Sequence, residues 1–560
     1  MAPVPFESDL RYTGIAVVAL HVISAVYFTW TVGKGLALSY RSLSPSQDVR
    51  LRQDRRRKLV PLFSVLALLG LSTALYSAVR YTTLSYRVWA DERGYSPSGT
   101  TDRCVSLRSL EKLLSLLVEL TILLFSVVVD APESSHLNIT QLAVYKIRWL
   151  ADTPIYQDAF EIVAEKARRF WWGQQIDLSI VPWSILLATE GTRRRIPHLF
   201  AFLSLAHLIN LSFAQNLFYV ALLLTPTPLP NVAQRSTRWT RIRDTVFQPK
   251  PPNWTLSPGL FLLSSLVSYG GIFLLPYAAE TPSFNRVLGI TRACTYAPLV
   301  LQRAAPVSWG GVYPNHHKAQ AALTDLFRLM SFMSATLHGM ATFTGLRYNL
   351  PDSHYHRHSR LLPWDIEKRS NWERTTTAVG RILGSTLDHP VVAAVGYDVL
   401  LSGASAGLWA AVRSLSAGDI LTSVVPLYND SIVTSSEPAD QSSRSTEPGS
   451  VRRSGRSRKA SGVKSTTSKY NEKNVETPTV RRRGRPRKVK LDPVEEPDPV
   501  EEPGDRTYVP SSGDKASAEG DTMPVQELDL EAAALAWGLM AVGGLGLGSA
   551  GVFGGECLAR

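Results

Sequence analysis

The chain has 560 residues, 45% of them hydrophobic and 19% charged, with a net charge of +13 and a pI near 9.6. Its mean hydropathy near zero averages very apolar segments against very polar ones, so the charge speaks for nucleic acid, acidic lipid or membrane orientation according to where it lies. Three scattered cysteines, Cys104, Cys294 and Cys557, exclude a disulfide framework and a zinc site of CxxC spacing.

A helix needs about 20 apolar residues to cross a hydrocarbon core of about 30 Å. Thr13–Val32 is the first run of that length; without a basic leader or a small-residue cleavage site it reads as a retained span. Leu59–Val79, Leu113–Val129, Pro197–Leu224, Pro258–Ala279, Ala321–Leu346, Pro390–Val412 and Leu530–Phe553 complete an expected set of eight. The predicted fold is therefore an all-α, polytopic transmembrane bundle. Two further runs are broken. Ile176–Ala188 is short, contains Pro182 and follows RRFWWGQQ, which suits a re-entrant or interfacial segment with Trp171 and Trp172 in an aromatic belt. Val287–Ala305, interrupted by Arg292, Pro298 and Arg303, reads as an amphipathic helix.

The basic loop SLSPSQDVRLRQDRRRK orients the first two spans with this loop in the cytosol and the amino terminus in the lumen. Alternation then puts Arg193–Arg195 and the basic linker in the cytosol. The sequon at Asn253 falls in the lumen as a glycosylation site, whereas those at Asn138 and Asn429 stay unmodified. The expected organisation is a membrane region over 1–427, a disordered linker over 428–527, basic then acidic and proline-rich, and a last span with a short tail over 528–560. The linker contains RRRGRPRKVK, in which Arg483, Gly484, Arg485, Pro486 and Arg487 resemble the AT-hook that lies in the minor groove of A·T-rich DNA. Such a cluster beside a membrane also attracts anionic lipid, so DNA and lipid both stand as partners.

Ionisable groups at hydrocarbon depth are costly and mark function or helix pairing. Glu119 is the single charge within Leu113–Val129 and Asp398 lies in VVAAVGYDVLLSGASAG; each can act as a general acid, relay a proton or hydrogen-bond a neighbouring helix. Asp325 and Arg328, three apart, read as a local ion pair. His207, Asn210, Gln215 and Asn216 form a polar stripe in AHLINLSFAQNLFYVALLL that either holds helices together or lines a cavity. HYHRH, with His354, His356 and His358 at alternate positions, is better read as solvated than as a zinc site. No P-loop, G-x-S-x-G elbow, HExxH or aspartate-rich magnesium motif is present, and no cofactor is expected.

The stretch from RRFWWGQQIDLSIVPWSILLATEG through AHLINLSFAQNLFYVALLLTP resembles fungal multi-spanning membrane proteins of natural-product pathways, some of which are similar to noncanonical transmembrane terpene cyclases. The resemblance implies metal-independent, protonation-initiated cyclisation of a lipid-soluble prenyl chain in the endoplasmic reticulum. Glu119 or Asp398 would supply the proton; Tyr397, Trp183 and Tyr219 would offer π faces to the cation, and His207 and Asn210 would contact the substrate. A transporter or scaffold, or a nuclear-envelope protein using the AT-hook-like segment, is the competing expectation.

Overall fold

The computed structural model describes residues 12–42, 50–93, 139–225, 250, 254–312, 316–351, 355–357, 366–368, 370–426 and 528–558. All belong to one compact unit; residues 431–509 lie outside the described residues. Also outside them are Glu119 with its expected span, the sequons at Asn138, Asn253 and Asn429, and Arg483–Arg487.

Among the described residues the fold is helical apart from two short antiparallel strand pairs. The helices are α1 (Tyr12–Ser42), α2 (Arg50–Glu92), α3 (Ile139–Asp152), α4 (Ile155–Glu165), α5 (Ala167–Leu186), α6 (Leu199–Leu208), α7 (Leu211–Leu224), α8 (Pro258–Ala278), α9 (Phe284–Ala304), α10 (His316–Asn349), α11 (Asn371–Gly384), α12 (Pro390–Arg413), α13 (Ala417–Val424) and α14 (Leu530–Leu558). Strand β1 (Trp254–Leu256) pairs antiparallel with β2 (Gly310–Val312), and β3 (Tyr355–Arg357) with β4 (Ile366–Lys368). Of the HYHRH segment, only 355–357 is described, as β3.

Five helices are long and apolar enough to cross a membrane: Tyr12–Arg41, Arg55–Glu92, Pro258–Ala278, Pro390–Arg413 and Leu530–Leu558. The chain is accordingly an integral membrane protein, with five such helices among the described residues where eight were expected. Pro197–Leu224, read as one span, is two helices of 10 and 14 residues separated at Ile209–Asn210. Ala321–Leu346 lies inside α10, a 34-residue helix that Asp325, Arg328 and His338 make too polar to join the five.

The segment expected to be re-entrant instead completes α5, the centre of the bundle, which packs on α4, α8, α9, α10, α12 and α14. Pro182 sits inside this helix, which then widens into a single π turn over Leu187–Gly191. Trp171 and Trp172 are not a lipid-facing belt. The Trp171 indole donates to Thr342 Oγ1 at 2.9 Å and that of Trp172 to the Ile382 carbonyl at 3.1 Å, both within the helical packing.

α14 follows the long linker yet packs against α5, α10, α12 and α13. It kinks at Gly544, where φ is 78°, a backbone that favours glycine; a Cβ there would stand 2.6 Å from His338 Nδ1. The N–H of Leu545 at the kink donates to Gln175 Oε1 at 3.2 Å. Beyond the kink, the fully buried Glu556 accepts from Arg194 Nη2 at 3.2 Å and from Arg413 Nε at 2.8 Å. Arg194 also meets Glu190 in the π turn at 3.3 Å, and Arg193 pairs with the same carboxylate. Arg193 and Arg194, expected to be orienting charges in the cytosol, are thus part of an internal ion network. The expected Asp325–Arg328 pair is present at 3.1 Å.

Two outcomes follow. Glu556→Gln removes the carboxylate that two buried arginines share and should cost about 3–5 kcal/mol; an unchanged unfolding midpoint in detergent would contradict the network's role. His389 caps α12 by accepting the Val391 N–H at its Nδ1, 3.3 Å away. Burial, helped by Arg169 and opposed by Glu165, holds its imidazole below the ordinary histidine range. Because the folded protein binds that proton less readily than the unfolded chain, stability should be full above about pH 6.5 and fall as the pH drops below it. His389→Asn, which keeps a capping acceptor, should flatten this dependence between pH 7.5 and 5.

Candidate functional site

The break between α6 and α7 exposes the amide groups that every helix start leaves without partners. Asn210 is the N-cap of α7: its side-chain oxygen accepts the Phe213 N–H at 3.0 Å, and its Nδ2 donates to the Gly70 carbonyl of α2 at 2.8 Å. The two preceding amides are taken by Asp398 of α12. Leu211 N–H donates to its Oδ2 at 3.0 Å and Ser212 N–H to its Oδ1 at 2.7 Å, while the Ser402 hydroxyl lies 3.4 Å from Oδ1. A carboxylate facing the positive end of a helix satisfies amide and dipole together. Asp398, 5% exposed, is therefore an anchor whose two oxygens are engaged as acceptors.

The structure brings Asn210 and Asp398 together and sets Tyr219 two turns further along α7. Tyr219 is fully buried, stacks on Trp409 of α12 with centroids 4.4 Å apart, and its hydroxyl accepts from Gln215 Nε2 at 2.6 Å. Phe63 of α2 meets both rings edge-on at 5.4 and 5.8 Å. Trp183, also fully buried, stands edge-on to Phe218. These rings pack against one another as core. Tyr397 stays apart from them: it is 45% exposed on the outer side of α12.

His207 belongs to a different assembly, formed by α5, α6 and α9. Asp177 projects from α5, where its neighbours Gln175 and Leu178 are buried, yet it is itself partly accessible, as are Ser204 and His207 of α6 and Arg292 and Tyr296 of α9. These side chains form a polar cluster where α9 packs on α5 and α6. His207 Nε2 lies 2.9 Å from Thr295 Oγ1, with His207 and Tyr296 ring centroids 5.5 Å apart, and the Tyr296 hydroxyl donates to Ser204 Oγ at 3.2 Å. The Arg292 guanidinium sits 4.0 Å from the centre of the Phe160 ring of α4. Its charge acts on Asp177, on His207 and on His21 of α1, and His21 stacks on Tyr156 of α4 at 4.8 Å.

Asp177 makes no hydrogen bond or ion pair among the described residues, so of the two acids it alone has a carboxyl free to meet a ligand. Sequence reasoning passed over it because it opens a run that looked too short and too broken to be a span. Its signal was an acid in GQQIDLSIVPW, five residues beyond the aromatic pair.

A cavity of about 520 Å³ opens between α5, α8 and α10 and is lined by Phe170, Gln174, Ile272, Phe273, Leu337 and Met340, with Glu165, Lys166 and Arg168 at one end. Those charges are already matched, Glu165 with Lys166 at 3.2 Å and Arg168 with Asp388 at 2.8 Å.

The two aspartates should separate in a stability measurement. Asp398→Ala leaves two buried amides unsatisfied, at about 1–3 kcal/mol each, whereas Asp177→Ala removes no protein hydrogen bond and should leave the chemical-denaturation midpoint within about 0.5 kcal/mol of the parent. Equal losses for both would contradict the assignment of anchor and free acid. No family model matches this chain, and neither a curated protein nor a solved structure matches it.

Proposed function

We propose that the protein is an integral membrane enzyme that starts the cyclisation of a lipid-soluble prenyl chain by protonation, with Asp177 as the acid. The observation that supports this reading is a carboxyl without a hydrogen-bond or ion-pair partner among the described residues, on the central helix and within reach of the charge of Arg292, whose helix also carries Tyr296 beside the His207 imidazole. The chemistry balances without a cofactor. Asp177 gives its proton to an olefin or epoxide of the substrate, ring closure moves the cationic centre along the chain, and loss of a proton from a neighbouring carbon restores an acid. The resemblance of the RRFWWGQQID region to transmembrane terpene cyclases points the same way. Asp398 is committed to α7, and Glu119 remains a second candidate acid outside the described residues. Residence in the endoplasmic reticulum is part of the same proposal.

A transporter is the second reading, favoured by the helix broken at Ile209–Asn210 with an acid at the amino end of its second half. Secondary transporters use such interrupted helices to build ion and substrate sites near the bilayer midplane.

The discriminating experiment supplies a linear prenylated precursor to membranes carrying the full chain and follows products by mass spectrometry. Asp177→Asn should reduce cyclised product by about 10²–10⁴-fold, while Asp398→Asn in protein that still folds should retain it. Undiminished product from Asp177→Asn would remove the proposed acid; precursor moved across vesicles but never cyclised would favour transport.

A further inference from the structure

Arg292 carries a charge that the described residues leave largely unsatisfied. A guanidinium carries five N–H donors in a planar fork, yet this one makes no hydrogen bond and no ion pair among the described residues, and its Nε is buried without an acceptor. Its one close neighbour of opposite electron density is the face of Phe160. Across the cluster, His207 Nδ1 is likewise buried without a partner. Arg292 leaves its donors unmet, whereas His207 gives its Nε2–H to Thr295 Oγ1, whose own proton goes to the Arg292 carbonyl, so His207 Nδ1 is an acceptor; His21 and Asp177 lie within reach of the same arginine charge. Water can fill the donors of this partly buried guanidinium but brings no counter-charge, and Asp177, whose charge it feels, makes no ion pair with it.

We infer that the polar cluster around Arg292 binds the oxyanion head group of a hydrophobic molecule, held by the Arg292 fork. A carboxylate or phosphate matches the fork with two parallel hydrogen bonds. The rest of the ligand would be apolar. Tyr156, Phe160 and Ile209 border the cluster, and α1, which contributes His21, is a candidate span whose Val17, Leu20, Ile23, Val26 and Trp30 are exposed along its outer side. A ligand arriving through lipid meets that helix first. This inference rests on the proposed function for the site's location and adds the class of molecule it takes: an anionic amphiphile whose charged end lies on α9 and whose reactive part faces Asp177.

The test is saturable binding of radiolabelled oleate to the full chain in nanodiscs, with empty nanodiscs subtracted. Bound oleate should be displaced by unlabelled oleate and not by oleyl alcohol, which has the same chain without the charge, nor by inorganic phosphate, which has charge without a chain. Arg292→Met should weaken binding at least 10-fold, and Arg292→Lys less. Arg292→Met should melt no lower than the parent, because it removes a buried charge that has no protein partner. Equal displacement by oleyl alcohol, displacement by phosphate alone, or parental affinity in Arg292→Met would each overturn the inference. If neither arginine variant folds, the competition on the parent protein decides. Cyclisation surviving in Asp177→Asn would sink the catalytic proposal and leave this binding result standing.

Discussion

The carboxylate of Glu556 holds the last helix of the bundle. It is fully buried, it answers two arginines from different helices, and one of these, Arg194, also reaches the π turn that ends α5. A buried ion network of this kind adds little net stability over an apolar one, but it accepts only one register. α14 must bring Glu556 level with Arg413 of α12, and that register also places the kink at Gly544 against His338 and Gln175. With α14 fixed, one side of α5 is covered, and Asp177 is left toward α6 and α9.

The second constraint is the helix break at Ile209–Asn210. In lipid, backbone amides must find partners within the protein, and here Asn210 and Asp398 provide them for the first three residues of α7. The same break ends α6 just after His207, which holds the imidazole beside Thr295 and Tyr296 of α9. One interruption thus separates two roles that the polar stripe seemed to combine. Asn210 and Asn216 bind helices together, Gln215 bonds Tyr219 within α7, and His207 turns to α9.

The sequence makes some of this legible and hides the rest for physical reasons. α1, α2, α8, α12 and α14 follow from long apolar runs, because the length of a span is set by bilayer thickness and shows directly in composition. Pro197–Leu224 looked continuous because Asn210, a capping residue, is a small interruption among strongly apolar neighbours. Asp398 and Asp177 are indistinguishable as letters. Only the packing of α7 on α12 shows that one carboxyl is committed to backbone amides while the other is not. Arg292 read as a flaw in an apolar run, and its meaning depends on α9 lying beside α5 and α6, a contact between segments distant in the chain. The aromatic pair Trp171–Trp172 misled for the opposite reason: tryptophan favours membrane interfaces and helix cores alike, and the acceptors Thr342 and Ile382 lie far along the chain.

The place of α14 in the chain has a consequence for how the protein is made. About 100 residues separate α13 from α14, so at a synthesis rate of about 5–20 residues per second the earlier helices wait some 5–20 seconds before the one that fills the space among them is complete. During that interval Arg194 and Arg413 have no Glu556, and the groove between α5, α10 and α12 stands open in the membrane. The newborn bundle must tolerate these two arginines without the carboxylate they share until its final helix is in place.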